Sequence, residues 1–471
     1  MNIFLFHRDL RINDNTTLIY QCENENNIIP IFIFTPEQIL KKNNNYHSNN
    51  SVQFMIESLH ELSIFIKDKN GKLYFFMGDT LDVLKSIHKE HSINSIAYNI
   101  DYTPYAIKRD TMVNKWCEDN NIKHYAQEDY TLYNIIEGET KNKTSDNGYL
   151  VFTPFKNHCM KKLKVRNINL FHSFKFTINN TLSKNKYYMK ESEIDKFYTD
   201  NPDINVHGGR KNGLAILKKI DDWADYNKNR DYMEYKTTFL SAHNHFSTIS
   251  IREVYHKILS KLGHKNNLIN ELHWRDFYMN IAYFYPKVLE GQIKNKNKPL
   301  KEKYEKTKWP FNKKLFTAWC EGTTGFPIVD ACMTQLNTTG YMHNRGRMIV
   351  ASFLCKDLLI DWRYGEKYFA TKLVDYDPTA NSGGWQWASS TGADSQPYFR
   401  IFNPWLQQEK FDKDCEYIFK WLPQLIDISN KDLHNWYKPE IHEQYLKLNI
   451  NYVKPILDHD KQKKKALALY K

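Results

Sequence analysis

Residues 28–77 have the sequence IIPIFIFTPEQILKKNNNYHSNNSVQFMIESLHELSIFIKDKNGKLYFFM, in which a helical pattern lies between two short apolar runs. The runs Ile28–Phe34 and Leu73–Met77 are rich in branched and aromatic residues and predict strands. Between them, apolar side chains recur at helical spacing, at Met55, Leu59, Leu62 and Ile66. A strand, an amphipathic helix and a second strand in this order predict a parallel sheet covered by helices.

The same alternation extends from this stretch in both directions. Further strands are predicted at Ile3–Phe6, Ile96–Tyr98 and Ile122–Tyr125, with another helical pattern at Leu81, Leu84 and Ile87. No G-x-G-x-x-G follows the first predicted strand, which excludes an ordinary dinucleotide-binding Rossmann unit. We therefore predict a doubly wound parallel α/β domain over residues 1–128.

The pattern changes twice further along the chain. Residues 129–203 include polar stretches such as EGETKNKTSDNG, with few periodic apolar residues, and predict an inter-domain connector. From Gly208 onward the apolar spacing is helical, and strand patterns almost disappear. The predicted fold is an α/β domain, a long connector, and an all-helical domain over residues 204–471.

Composition limits the classes of function. The chain has 471 residues, too many for one ordinary core, and its formal net charge of +12 favours a polyanion such as nucleic acid. Abundant lysine alone would give the same charge. Nine of the eleven tryptophans lie at or after Trp274, so the C-terminal part has a special use for large flat side chains.

Cysteine spacing and the lengths of apolar runs indicate in which cellular compartment the protein works. The seven cysteines are scattered without a CxxC pair or a metal-ligand spacing. The N-terminus lacks the pattern of a signal peptide, and the chain has no apolar run long enough to span a membrane. We expect reduced thiols, no metal, no membrane association, and a cytoplasmic or nuclear location.

The most distinctive stretch lies between Gly322 and Asn403. It contains TTGFPIVDACMTQLNTTGYMHNRGRM, SFLCKDLLIDWRYGEKYF and DYDPTANSGGWQWASSTGADSQPYFRIFN. With FHRDLRINDN near the N-terminus, TTFLS at Thr237–Ser241 and ELHWRDFY at Glu271–Tyr278, it resembles the photolyase/cryptochrome family over essentially the whole chain. Among the branches of that family, the chain is most similar to the class I cyclobutane pyrimidine dimer photolyases.

The resemblance implies a light-dependent DNA repair enzyme, a carbon–carbon lyase. It implies bent FAD in the helical domain, active when fully reduced, and a second, light-harvesting chromophore at the α/β domain. The substrate would be a flipped-out pyrimidine dimer of double- or single-stranded DNA, and a monomer is expected. To reach a base inside a duplex, an enzyme must extrude it and replace its stacking partners.

Glu271, Trp274 and Tyr278 are spaced at i, i+3 and i+7 and therefore share one helix face. A carboxyl group beside an indole suits hydrogen bonding and stacking to an extruded base. Taken alone, such a pair is more often an ordinary half-buried helix face. By resemblance, Trp274 and Trp387 would pack against the dimer, and Glu271 would bond its carbonyl or N–H edge.

The heptapeptide MHNRGRM, Met342–Met348, distinguishes this branch from its relatives. By resemblance, photolyases that act on (6-4) photoproducts have a second histidine as proton donor where this chain has Asn344. Dimer splitting needs only an amide that bonds base and cofactor at this position. Met348, four residues on, lies on the same face and would pack against the dimer. Tyr341 replaces the tryptophan common in bacterial members, which alters one expected contact.

The resemblance also implies a set of FAD contacts. Asn381 would face flavin N5, where an amide can accept the N5–H of the reduced ring. Arg347 and Asp357 would form a buried ion pair beside the ring, and Phe239 stands where a basic residue is common. The other expected FAD contacts are Tyr226, Thr237, Thr238, Leu240, Ser241, Asn344, Asp375 and Asp377.

Two further groups of residues follow from the resemblance. Trp385, Trp362 and Trp309 match the family's chain of three tryptophans, along which electrons reach oxidised flavin. Any one of them alone would more often be ordinary core packing. Phosphate contacts that position DNA without reading its sequence are expected from Arg230, Arg275, Arg345 and Arg400.

The second chromophore is not determined by the resemblance. His47 matches a histidine of folate-binding members. Tyr105 and Ala106, however, occupy positions where those members have polar folate contacts. A folate held differently, another chromophore such as a deazaflavin, and an empty site all stay open.

Two other functions compete with DNA repair. A cryptochrome-type blue-light receptor without repair activity usually has a long C-terminal extension, whereas this chain ends soon after Ile401–Pro404. The residues expected to contact the dimer also favour repair. A DNA-binding module without enzymatic activity would leave the flavin-site residues without a purpose.

Overall fold

The computed structural model describes residues 1–291 and 297–470, and its N-terminal part is built on a six-stranded sheet. The strands are β1 (Asn2–Phe6), β2 (Ile28–Phe34), β3 (Tyr74–Met77), β4 (Ser95–Ile100), β5 (Lys123–Glu128) and β6 (Tyr188–Met189). Their order is β5-β4-β1-β2-β3-β6, with the first five strands of the chain parallel and β6 antiparallel at one edge. The predicted parallel α/β domain is confirmed.

Both faces of this sheet are covered. Phe4 and Phe6 of β1 join one hydrophobic cluster, and Ile3 and Leu5 join another. Four of the five covering helices begin with a side-chain cap, supplied by Asn15, Ser48, Asp79 and Thr103. The short helix Pro36–Ile39 has no side-chain cap. The five helices are Thr16–Asn24, Pro36–Ile39, Asn49–Lys67, Thr80–His91 and Pro104–Asp119.

Residues 129–203 contain more structure than their composition predicts. Phe176 and Met189 pack into a core of the sheet domain, whereas Phe152 and Phe155 pack with the helical part. Strand β6 was missed because a two-residue edge strand has no periodicity to detect. The domain boundaries at residues 128 and 203 stay a prediction. The other elements here are the helix Phe152–Lys162 and the 3-10 helices Asn180–Lys184 and Glu191–Phe197.

The rest of the described chain is helical, as predicted. The helices that carry the candidate site are Tyr226–Asn229, Ser241–His245, Asn267–Phe284, Asn344–Ser352, Trp362–Ala370 and Pro378–Ala388. They are surrounded by Arg210–Lys218, Ile251–Leu262, Lys313–Glu321, Pro327–Thr339, Pro404–Phe411, Glu416–Trp421, Asn430–His434, Pro439–Lys447 and His459–Leu469. One π-helical turn, Phe353–Asp357, and four 3-10 helices complete this part: Ile220–Trp223, Pro286–Leu289, Glu302–Tyr304 and Pro423–Leu425. None of the helices in the described ranges is both long and apolar enough to cross a bilayer.

Buried charges join the sheet domain to the helical domain. Asp129, directly after β5, pairs with Arg11 at 2.6 Å and with Arg252 at 2.7 Å. Arg252, on the helix Ile251–Leu262, also pairs with Asp14 at 2.8 Å. These side chains are almost completely buried, so the network fixes the two domains against each other.

Candidate active site

The helix Asn267–Phe284 carries the predicted lesion-binding face. It begins at Asn266, whose side chain accepts a hydrogen bond from the Leu268 N–H. Glu271, Trp274 and Tyr278 are half-exposed, whereas most residues between them are buried. The Trp274 and Tyr278 ring centroids lie 5.7 Å apart. The prediction that these side chains share one helix face is confirmed.

Trp274 is supported on one side by Phe152. The two rings are stacked, with centroids 3.7 Å apart and planes inclined by 7°. Because Phe152 is buried and Trp274 is half-exposed, one indole face is covered and the side chain still reaches solvent. The sequence analysis missed Phe152, since a stacking partner so distant in the chain leaves no local signal.

The Glu271 carboxylate is bound by Arg230. Arg230 Nη1 donates to Glu271 Oε1 at 2.6 Å, and each side chain is 36% exposed. Burial raises the pKa of Glu271, and the Arg230 guanidinium opposes this shift. Tyr226 lies beside the pair, where burial and the Glu271 charge raise the pKa of its hydroxyl. Arg230, predicted to contact a phosphate, and Glu271, predicted to bind the lesion, therefore form an ion pair with each other.

The helix Asn344–Ser352 presents the predicted Asn344 and Met348 pair. The His343 side chain caps this helix by accepting a hydrogen bond from the Arg345 N–H at 3.1 Å. Burial lowers the pKa of His343 to about 4, so its imidazole is neutral near pH 7. Asn344 is exposed, and its Nδ2 lies 3.9 Å from the Met348 Sδ. The two side chains are neighbours on the first turn, as their spacing predicts.

Residues 237–240 form a loop, directly before the helix Ser241–His245, that packs against Tyr341. The hydroxyls of Thr237 and Tyr341 lie 3.1 Å apart. The Phe239 and Tyr341 rings meet edge to face, with centroids 5.1 Å apart. Phe239 has a φ of +55°, a left-handed conformation that is unfavourable for a bulky side chain. The two positions at which the chain departs from the family pattern are therefore in contact with each other.

Arg347 pairs with Asp375 and not with Asp357. Its Nη2 donates to both Asp375 carboxylate oxygens, at 2.9 and 3.1 Å, and its Nε donates to the Met342 carbonyl at 2.8 Å. Asp357 is fully buried and pairs with His459 at 2.5 Å. The prediction of an Arg347–Asp357 pair is wrong, because ten residues of nearly continuous helix separate two positions by about 15 Å.

Asn381 lies on an open face of the helix Pro378–Ala388. Its Nδ2 donates to the Glu366 carbonyl at 2.9 Å and to Glu366 Oε1 at 3.0 Å, so its amide oxygen can accept from another group. Burial raises the pKa of Glu366 to about 7, against the effect of hydrogen bonds from Asn381 and Tyr46. Gly384 lies one turn further, and a Cβ placed there would meet no atom of the described chain within 4 Å.

Asp377 ties this helix to the sheet domain. Its Oδ1 accepts the backbone N–H groups of Thr379 and Ala380 and so caps the helix. Its Oδ2 accepts from Arg8 at 3.0 Å and lies 3.1 Å from the His245 Nδ1. Burial alone would raise the pKa of Asp377, but His245 and Arg8 hold it well below its usual range. The predicted FAD contact at this residue therefore has protein partners at both carboxylate oxygens.

These groups fit a flavin dinucleotide. The Arg347 side chain is 27% exposed while its partner Asp375 is only 3% exposed, so the guanidinium borders open space beside a buried carboxylate. Gly384 borders open space on the helix that carries Asn381, and Thr237 presents a hydroxyl on the loop 237–240. Hydroxyls and backbone N–H groups suit phosphates, and an amide with a charged pair suits the polar edge of a flavin. The helical part of the chain can therefore hold FAD.

The three predicted electron-transfer tryptophans differ in burial. Trp385 and Trp362 are buried, and Trp309 is half-exposed. The Trp385 ring packs against Trp319 at a centroid distance of 6.0 Å, and the Trp309 ring meets Tyr470 edge to face at 5.5 Å. The half-exposed Trp309 and the two buried tryptophans suit electron transfer from the surface toward the cofactor, and the path itself stays a prediction.

The basic residues predicted to contact DNA differ in their surroundings. Arg400 is exposed. Arg345 pairs with Asp231 at 2.7 Å and lies 4.3 Å from the Phe411 ring centroid, which leaves its side chain 14% exposed. With Arg230 held by Glu271, Arg400 is the member of this set most accessible to a phosphate.

Arg275 is partly buried, and its guanidinium donates to backbone carbonyls. Its Nη1 donates to the Tyr130 carbonyl at 2.6 Å and its Nη2 donates to the Asn244 carbonyl at 3.2 Å. The phosphate contact at Arg275 stays a prediction, and its guanidinium already has protein partners at both Nη atoms. One residue beyond Trp274, the helix has turned by about 100°, so Arg275 points away from the Trp274 face and toward these carbonyls.

A cavity of about 630 Å³ opens at the carboxyl ends of the parallel strands. Arg8, Thr35 and Thr103, which follow β1, β2 and β4, line it together with His47 and Tyr105. The Tyr105 hydroxyl donates to Thr35 Oγ1 at 3.0 Å. Ligands of open α/β sheets bind at this edge. The residues that the sequence analysis connected with a second chromophore therefore border a single cavity.

Comparison with known proteins gives full-length matches. Residues 2–173 match the family described as DNA photolyase, and residues 268–471 match the FAD binding domain of DNA photolyase. The deoxyribodipyrimidine photo-lyase of Escherichia coli strain K12 is 33% identical over 479 residues, which cover 99% of this chain and 97% of the relative. An archaeal photolyase from Sulfolobus tokodaii with two FAD molecules has a TM-score of 0.86 and 37% identity, covering 100% and 99% of the two chains. A cryptochrome from Synechocystis sp. PCC6803 has a TM-score of 0.85 and 25% identity, with coverage of 100% and 99%.

Proposed function

The chain belongs to the DNA photolyase family, and we propose that the half-exposed Glu271–Trp274 face receives a cyclobutane pyrimidine dimer of DNA. The chain is a light-dependent carbon–carbon lyase that binds FAD and repairs these dimers. The observation that carries the placement of the dimer is the Trp274 ring, which is backed by Phe152 and has a carboxylate on the same helix face. An extruded base needs such an aromatic plane in place of its lost stacking partners.

The residues divide the work of binding between them. When bound, FAD supplies the electron that light drives into the dimer. Asn381 offers an amide oxygen toward the cofactor, because its Nδ2 is occupied by Glu366. Asn344 and Met348 offer an amide and an apolar thioether toward the dimer, and Trp387 adds a second aromatic side to the pocket. This division supports the class I branch, since no second histidine stands at position 344.

The substrate and the assembly follow from the same pocket. A dimer read in extruded form can come from double- or single-stranded DNA, with Arg400 and Arg230 contacting phosphates. All the proposed contacts come from one chain, which supports a monomeric enzyme. DNA as substrate places the activity wherever the genome lies, in a cytoplasm or a nucleus.

Light-dependent repair is the first expected outcome. Protein with reduced FAD, mixed with an oligonucleotide containing one thymine dimer, should restore the two thymines under blue or near-ultraviolet light and leave the dimer intact in darkness. Chromatography of the oligonucleotide measures the conversion. Equal conversion in light and darkness would contradict the mechanism. No conversion in light, with reduced FAD shown to be bound, would favour the cryptochrome alternative, whose fold is the same.

We propose that the cavity at the strand ends holds a flat tricyclic chromophore of the flavin and deazaflavin class as the light-harvesting antenna. Its position at the carboxyl edge of the sheet supports this, as do Tyr105 and Ala106 in place of polar folate contacts. The relative from Sulfolobus tokodaii has two FAD molecules and an implied novel light-harvesting cofactor. Absorption spectra of chromophores released from the native protein separate this proposal from a folate and from an empty cavity.

Trp309→Phe is expected to slow the light-driven reduction of oxidised FAD at least tenfold. The half-exposed Trp309 would be the surface end of the tryptophan path, and phenylalanine is much harder to oxidise. Repair by enzyme reduced beforehand with dithionite should stay unchanged, because that electron comes from the cofactor. Transient absorption after a light pulse measures the first rate. Trp421→Phe, at another partly buried tryptophan, is the matched control.

A further inference from the structure

Lys356 is a buried cation without a carboxylate partner. It lies on the π-helical turn Phe353–Asp357, and its exposed fraction is 0%. Among residues 1–291 and 297–470, no Asp or Glu oxygen lies within 4 Å of its ammonium group. A buried charge is costly unless each of its hydrogens meets a partner. The surroundings of this ammonium group therefore need an explanation.

Three groups surround the Lys356 ammonium. Nζ donates to Ser390 Oγ at 2.9 Å and to the Tyr398 carbonyl at 3.3 Å. It also lies 3.8 Å from the centroid of the Tyr470 ring, in cation–π contact. An ammonium group has three hydrogens to donate, and two oxygens and one aromatic face match that number. We name Lys356, Ser390, Tyr398 and Tyr470 the lysine cage.

The cage fixes the chain directly after the helix Pro378–Ala388. The Tyr470 hydroxyl donates to the Ser389 carbonyl at 2.7 Å. Lys301 Nζ donates to Ser395 Oγ at 2.5 Å, and the Lys301 N–H donates to the Thr391 carbonyl at 2.9 Å. Residues 389–398 are therefore held from three separate parts of the chain.

This segment contains backbone strain that the cage opposes. Ser390 has a φ of +67°, in the left-handed region that is unfavourable for a residue with a Cβ. Such a conformation persists only where its surroundings over-determine it. Two hydrogen bonds supply that restraint. Lys356 Nζ donates to the Ser390 hydroxyl, and Lys301 Nζ donates to the Ser390 carbonyl at 3.4 Å.

We propose that Lys356 is a positioning residue, which through the lysine cage holds residues 389–400 in the conformation that binds lesion-containing DNA. The segment runs from the helix that carries Trp387 to the exposed Arg400, two of the proposed DNA contacts. Lys356 itself is buried and touches neither DNA nor cofactor. This inference rests on the proposed function for its DNA readout, but the conformation of the segment can be measured without DNA.

The cage makes lesion binding sensitive to alkaline pH. Burial lowers the pKa of Lys356 to about 8, with nearby Lys301 acting in the same direction and Cys355 in the opposite one. The Tyr398 carbonyl and the Tyr470 ring face the same group, and Asp361 acts on Cys355 and Tyr470. As pH rises through this value, the ammonium group loses a hydrogen and its cation–π contact. The affinity for dimer-containing DNA should then fall between pH 7 and pH 9.

The test compares Lys356→Met with Lys420→Met in the FAD-bound protein. Methionine keeps the length and apolar bulk of the side chain, and an apolar replacement of a buried charge commonly leaves the fold stable. Lys356→Met should speed amide hydrogen exchange of residues 389–396 and weaken binding of dimer-containing DNA about tenfold, the loss expected for one hydrogen bond to a charged group. Binding by Lys356→Met should also lose its fall between pH 7 and pH 9, whereas the exposed Lys420→Met should keep it.

Unchanged exchange and unchanged lesion affinity in Lys356→Met would overturn the proposal, as would a pH profile identical to that of the wild type. Tyr470→Phe and Tyr470→Leu give a second test if Lys356→Met does not fold. Phenylalanine keeps the ring over the ammonium group and should have the smaller effect, and leucine removes it. Wild-type protein that shows no preference for dimer-containing DNA would refute the proposed function, while the exchange measurement would still decide whether the cage holds the segment.

Discussion

Asp129→Ala is expected to lower the free energy of unfolding by about 3–5 kcal/mol, the cost of breaking a buried ion pair from one side. The Asp129 side chain has no exposed surface and pairs with Arg11 at 2.6 Å and Arg252 at 2.7 Å. Its removal leaves two buried guanidinium groups short of negative charge. Asp14, which pairs with Arg252 at 2.8 Å, cannot serve both. Chemical denaturation followed by circular dichroism measures the loss.

Acid should weaken the same network in the wild type, because it protonates Asp129 and so lowers the free energy of unfolding. Burial alone would raise the pKa of Asp129, but Arg11 and Arg252 hold it well below its ordinary value. A carboxyl whose pKa is depressed in the folded state stabilises the fold above its unfolded pKa, near 3.9, and loses that contribution as pH falls below it. Asp129→Ala should therefore show a shallower loss of stability between pH 5 and pH 3.

Asp146→Ala is the matched control. Asp146 pairs with Lys141 at 3.2 Å and is 89% exposed. Surface pairs of this kind contribute about 0–1 kcal/mol. If Asp129→Ala destabilised the protein no more than Asp146→Ala, the buried network would not be what joins the two domains.

The helices and strands of this fold were predictable where burial makes apolar residues recur at a regular spacing or in an unbroken run. Strands buried on both faces, such as Ile28–Phe34, are continuous apolar runs, and the Glu271–Tyr278 face follows from helical spacing alone. The segment 129–203 was harder to predict, because Phe176 and Phe152 each pack against a core built by other parts of the chain. A single buried side chain in a polar stretch has no periodic neighbours to reveal it.

The partners of charged side chains were the least predictable part of the site. Motif similarity identified Arg347 and Asp375 but joined Arg347 to Asp357, because nothing in the motif gives distance in space. Arg275 was expected to face DNA, although its direction depends on carbonyls supplied by Tyr130 and Asn244. Lys356 gave no signal, because a lysine in an apolar run does not reveal whether it is caged or reaches solvent.

Glu271→Ala is expected to weaken binding of dimer-containing DNA about 10- to 100-fold, the range given by losing a hydrogen bond to a charged group. The carboxylate would bond the extruded dimer, and without it the Arg230 guanidinium loses its partner at 2.6 Å on the pocket wall. Glu271→Gln keeps hydrogen-bonding capacity at the same reach and should lose less affinity. Fluorescence anisotropy with dimer-containing and undamaged oligonucleotides measures both variants.

The flavin content of Glu271→Ala decides how its result is interpreted. The Arg347–Asp375 pair and the Asn381 amide lie on other helices and do not depend on Glu271, so FAD should stay bound at the wild-type ratio. Loss of flavin would mean that Glu271 belongs to the cofactor site.

Glu118→Ala, at an exposed position on the helix Pro104–Asp119, controls for removal of a negative charge and should bind both DNAs as the wild type does. An affinity for dimers as high in Glu271→Ala as in this control would place the lesion pocket elsewhere. Weakening confined to dimer-containing DNA would instead separate recognition by Glu271 from phosphate contacts, because phosphates are the same in both DNAs.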